Sequence, residues 1–107
     1  MTNPLSERDW KLFRKLHTVA RDRFVERVLA ESGTIVNGTD SAYDRYLALY
    51  RHIHDSDRDL GEAFDDPRRS NALMKLAAMR AQQLVTDDEL AQFSPESQQF
   101  LAFFATH

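Results

Sequence analysis

Residues 6–33 read SERDWKLFRKLHTVARDRFVERVLAESG, and this stretch decides the fold. Ser6, with Asp9 three places on and Glu7 between them, is a helix start. A serine oxygen can accept from an unpaired N–H of the first turn, and acids complement the positive end of the helix. Nothing interrupts the helix before Gly33, which reads as its stop. At about 100° per residue, Leu12, Phe13, Leu16, Val19, Ala20, Phe24 and Val28 share one broad apolar face, with Trp10 at its edge.

Working outward, Thr34–Thr39 is a connector with Asn37-Gly38 as its turn signal. Asp40 or Ser41 caps a second helix whose apolar stripe is Tyr43, Tyr46, Leu47, Tyr50, Ile53, Leu60 and Phe64, with Gly61 a possible bend. Asp66-Pro67 closes it and opens a third helix, because proline restricts the residue before it and suits a first helical turn. That helix carries Leu73, Leu76, Ala77, Ala81 and Leu84 inward, and its alanines would let a neighbour approach closely. Thr86-Asp87-Asp88-Glu89 is a capping box, and Ser94-Pro95-Glu96 starts a last helix ending in Phe100, Leu101, Phe103 and Phe104. The expected helices span about 6–32, 41–65, 67–85, 87–93 and 95–105, with boundaries set by these caps and breakers. The fold class is all-α: a three-helix core of two long helices and an alanine-rich third, closed by a C-terminal helical hairpin.

A chain of 107 residues fits one domain. With no cysteine, disulfides and thiolate-bound zinc or iron–sulfur clusters are excluded. The N-terminus has no apolar leader core, and no apolar run approaches the roughly 20 residues of a membrane span. A cytoplasmic location is therefore expected. The net charge of −3 argues against a general nucleic-acid binder. Charge is nevertheless segregated: residues 67–84 carry four basic side chains and no acid, and residues 85–107 four acids and no base.

The same angular placement puts polar groups inside apolar faces. Arg23 and Arg27 fall on the inner side of the first helix, Asp57 within the tyrosine stripe, and Arg80 among the leucines of the third helix. A buried charge needs a partner, so a buried polar network of Asp57, Arg27, Arg80 and Tyr50 is expected, with Arg23 as a further candidate. The alternative is a small-anion pocket built from Arg23, Arg27 and Arg80, or from Arg68 and Arg69 at a helix start. Phe100, Phe103 and Phe104 are too apolar to face water all round and are the candidate protein interface.

No metal, cofactor or catalytic residue is expected. His52 and His54 point about 160° apart on a helix and cannot share an ion. Asp55, Asp57 and Asp59 imitate an EF-hand start, but Leu60 occupies the place of its required glycine. There is no phosphate loop, dinucleotide fingerprint, His-Glu-x-x-His or nucleophile elbow.

Ser-Glu-Arg-Asp-Trp-Lys-Leu-Phe-Arg-Lys-Leu at 6–16, Ala-Phe-Asp-Asp-Pro-Arg-Arg-Ser at 63–70 and Phe-Ser-Pro-Glu at 93–96 look like a small bacterial helical family without established biochemistry. The resemblance implies a bacterial origin and a compact helical fold. Some sequences of this kind carry a release-factor label, but this chain lacks the Gly-Gly-Gln that peptide release needs. The functional expectation is a non-enzymatic interaction module binding itself or another protein. The alternatives are a small-anion binder and a nucleic-acid- or ribosome-associated protein using Arg8, Lys11, Arg14, Lys15 and Arg21.

Overall fold

The computed structural model describes residues 5–106; the start of the N-terminal segment read for a leader, and His107, lie outside them. Five helices follow in order: α1 (Glu7–Val36), α2 (Ala42–Phe64), α3 (Ala72–Ala81), α4 (Asp87–Leu90) and α5 (Pro95–Thr106). The described residues are all-helical, as the periodicity requires, and no helix among them is long and apolar enough to cross a membrane.

α1 starts as expected, Ser6 Oγ accepting from the Asp9 N–H at 3.1 Å. It does not stop at Gly33. The glycine stays helical, and α1 ends at Val36, where the Asn37 N–H still donates to Gly33 O. The last turn of α1 has no basic residue of its own. Arg45 of α2 supplies the cation, donating to Val36 O and Asp40 O and so satisfying carbonyls left open at the helix end.

α3 is shorter at both ends than the sequence suggests. Asn71 holds residues 66–71 in a turn, its Oδ1 accepting from the Arg68 N–H and its Nδ2 donating to Asp66 O. Such local side-chain bonds compete with helix. At the other end Gln83 is left-handed, with φ 60°, and the Leu84 N–H reaches back to Met79 O. This is the Schellman closure that usually employs glycine.

The core lies at one end. Its buried apolar side chains are Leu5, Phe13, Leu16, Ala20 and Phe24, then Ala63 and Phe64, then residues of α3 to α5. Between Phe24 and Ala63 no apolar side chain is fully buried. The α1–α2 hairpin therefore has a base covered by α3, α4 and α5, and an arm that projects beyond them. The extents of 54 × 26 × 25 Å and the radius of gyration of 16.7 Å reflect this; a compact chain of this length would have a radius near ~13 Å.

Candidate functional surface

The inward arginines are used as caps. Arg23 grips Glu89 with two parallel bonds of 2.8 Å and also donates to Leu84 O. Arg27 donates to Gln82 O, and Arg80 to Leu101 O. The first two thus close the C-terminal end of α3. At the end of α2, Lys75 donates to Glu62 O, and His17 Nε2 lies 2.9 Å from Phe64 O. Carbonyl oxygens are the common target of these inward side chains, and of the arginines only Arg23 adds a carboxylate.

This corrects the expected network. Asp57 is exposed and touches neither Arg27 nor Arg80, and Tyr50 is exposed and stacks on His54. The reason is rotational. α2 half-buries Leu49, His52 and Ser56 and leaves Tyr43, Tyr46, Tyr50 and Ile53 exposed, while Leu47 and Leu60 of the same stripe are half-buried and Phe64 joins the core. The anion pocket is not assembled either: Arg68 pairs with Asp66 and Arg69 with Glu7, away from Arg23, Arg27 and Arg80. Among the described residues no three His, Asp or Glu side chains converge on a common point.

The buried charge that sequence reasoning missed is Asp9, completely buried at the start of α1. Its carboxylate accepts from Ser94 Oγ at 2.6 Å, Ser97 Oγ at 2.7 Å and the Ser94 N–H. Burial pushes this carboxyl up. The serine hydroxyls, the Ser94 N–H and the charge of Arg8 more than reverse that, leaving it below its ordinary value. Ser94 precedes α5, so the carboxylate also faces that helix's positive end. Asp9 at helical spacing from Leu12 and Phe13 was a possible signal, but its partners lie more than eighty residues away.

Glu89 has two duties. It closes the capping box on the Thr86 N–H and receives Arg23. The Arg23 bonds are the main reason its carboxyl is lowered to about 2, with the Thr86 backbone helping and burial opposing.

What remains is surface. Tyr43, Tyr46 and Tyr50 are 70%, 66% and 63% exposed, and Ile53, Val25, Leu29 and Val36 are also open. Handedness fixes which flank they occupy. On the arm of α1 the packed positions are Val28, Ser32 and Ile35; Val25, Leu29 and Val36 lie about 60–100° further round. On α2 the stripe lies about 60–140° beyond the mean direction of Leu49, His52 and Ser56, in the same sense. Because the helices run antiparallel, equal rotation turns both stripes to one flank. The opposite flank carries Glu31 and His52, 3.3 Å apart, and nearer the base Arg23 and Arg27, through which α3 and α4 attach.

Further down α1, Trp10, Lys11, Arg14, Lys15, Thr18 and Val19 line, with Pro67, a shallow groove of about 1070 Å³. At the end of α5, Phe100 is half-buried against the core and rings with Phe104, while Phe103 is 56% exposed. The expected phenylalanine interface is thus partly absorbed by the core.

The chain matches no family model, no curated protein and no solved structure. The bacterial resemblance gains no support from these comparisons, and no family is assigned.

Proposed function

We propose that this protein is a non-enzymatic interaction module that docks a protein partner on the bare flank of its α1–α2 arm. One observation carries the reading: Val25, Leu29, Val36, Tyr43, Tyr46, Tyr50 and Ile53 stand exposed on a single flank. Scattered exposed apolar residues are ordinary, but a contiguous patch of large ones marks an interaction site. Tyrosine is also enriched at interfaces, giving area at low entropic cost together with a hydroxyl for the rim. Support also comes from the polar groups elsewhere. Asp9 and Glu89 owe their shifted acidity to partners that fasten the fold, and Asp66 owes its shift to its neighbour Arg68 in the turn before α3. The small-anion reading loses its site, since its five arginines are engaged at separate places.

A photo-crosslinking amino acid at position 29 or 46, compared with position 51 on the outer side of α2, tests the reading in cells. Discrete covalent adducts are expected from 29 and 46 and none from 51. Absence of adducts at both flank positions would remove it.

A further inference from the structure

We infer that the occupant of this flank is a second copy of the chain, its arm laid alongside the first in the same direction so that α1 of each packs on α2 of the other. The inference rests on the docking reading above and names its partner.

Three observations carry it. The first is area. At their exposures, the seven side chains of the flank present on the order of 700–800 Å². A stable interface buries about 800 Å² on each side. The flank is of that size, and Arg23 and Arg27 attach α3 and α4 on the opposite side, so neither of these helices obstructs it.

The second is shape. The α2 stripe is bulky, with three tyrosines and an isoleucine, whereas the α1 stripe is slight. Leu29, Gly33 and Val36 follow one another at i, i+4 and i+7, on one line of the helix. A Cβ added at Gly33 would meet nothing within 4 Å, so the glycine leaves a notch between Leu29 and Val36. Glycine inside a helix costs roughly 0.5–1 kcal/mol relative to alanine, and nothing among the described residues fills the space. A two-fold axis along the arm sets each slight stripe under the partner's tyrosines. An axis across the arm would instead oppose tyrosine to tyrosine and leave the notches facing each other.

The third is charge. The pairs His17–Phe64 and Glu31–His52 fix the register of α1 against α2. In that register Arg21 lies within about one helical turn, ~5.4 Å, of the level of Asp57. Both are exposed, and neither has an ion-pair partner among the described residues. The axis along the arm brings Arg21 of each copy to Asp57 of the other, one contact at each edge. Isologous pairing of this kind is what a closed dimer requires, and the outcome is a four-helix arrangement of two arms.

Light scattering behind size exclusion, on the full chain at two concentrations, tests this. Wild type is expected at twice the 12.4 kDa of the chain, and Tyr46→Glu and Gly33→Leu at the monomer mass. Circular dichroism and the melt keep an unfolded variant from counting. Arg21→Glu is expected to weaken association about tenfold, and Arg21→Glu with Asp57→Arg to restore it. Gly33→Ala should raise helix stability while loosening the dimer, a split that a merely structural glycine does not give. A folded wild-type monomer at both concentrations overturns the second copy. If adducts from positions 29 and 46 still form, but only with other proteins, the docking reading survives that failure; if none form, both fall. A dimer indifferent to Gly33→Leu and Tyr46→Glu, or a charge swap that does not restore binding, overturns the arrangement described here.

Discussion

The base and the arm of the α1–α2 hairpin are the same two helices under two regimes. At the base, Phe13, Leu16, Ala20 and Phe24 of α1 meet Ala63 and Phe64 of α2 beneath α3 to α5, and all are buried. Along the arm, the half-buried positions of α2 include Leu47, Leu49, His52 and Ser56, and none of its apolar side chains there is fully buried. Two helices alone cannot cover two apolar stripes, and most helical stability comes from packing a face rather than from propensity. The base buries its apolar residues, whereas the arm leaves its three tyrosines, Leu29 and Ile53 outside. That difference separates what holds the molecule together from what is available to a partner, and it can be attacked from either side.

The largest effect is expected at the base. Asp9→Ala removes the acceptor for two serine hydroxyls and one N–H, leaving buried donors unpaired. A loss of about 3–4 kcal/mol is expected, and the thermal melt should fall by about 12–30 °C, at roughly 4–8 °C per kcal/mol for a domain of this size. Asp9→Asn keeps the shape and should recover part of the loss. A melt within a few degrees of wild type would show that the Asp9 cluster does not fasten α1 to α5.

A smaller effect belongs to Glu89, where the α4 cap meets α1. Its carboxyl is lowered to about 2 in the folded state, below the ordinary value near 4.5, so its contribution is present above that value and lost as pH falls toward 2. The full shift would imply a larger figure, but Arg23 is 41% exposed and solvent screening reduces the pair to about 1 kcal/mol or less. Melts between about pH 6 and pH 2 should fall steeply for wild type and less steeply for Glu89→Gln. Identical slopes would detach Arg23 from the acid sensitivity of the fold.

The base and the arm also differ in how far the sequence discloses them. The Ser6 cap, the Thr86 capping box and the apolar face of α1 are local patterns, and the structure has each of them. The limits of α3 were hidden because Asn71 and Gln83 act through side-chain bonds and a left-handed turn, which composition does not advertise. The destination of the inward arginines was hidden for another reason. A helical wheel says which way Arg23, Arg27 and Arg80 point, and electrostatics says that they need partners. The carbonyls of Leu84, Gln82 and Leu101 become candidates only when helix ends are placed beside them. On the arm, Leu49 and the tyrosines compete for the seam with α1, and apolar periodicity alone favours the longer tyrosine stripe. Asp9 reads in the sequence only as part of a helix start, because its hydroxyl partners are serines, which carry no formal charge to balance.

The smallest effect is expected where reading the sequence alone expects one of the largest. If Asp57 were buried among arginines, Asp57→Ala would cost about 3–5 kcal/mol. The residue instead stands exposed on the flank of the arm, so the cost to the single chain should stay within about 0.5 kcal/mol. The measurement belongs on a Tyr46→Glu background, where docking of the flank no longer contributes to the melt. A loss of several kcal/mol there would mean that the arm hides a charge network and that α2 is rotated, its tyrosines turned inward, which would take away the docking surface as well. An unshifted melt, together with weaker association in the Tyr46 parent, assigns Asp57 to the surface that the arm offers and not to the core that supports it.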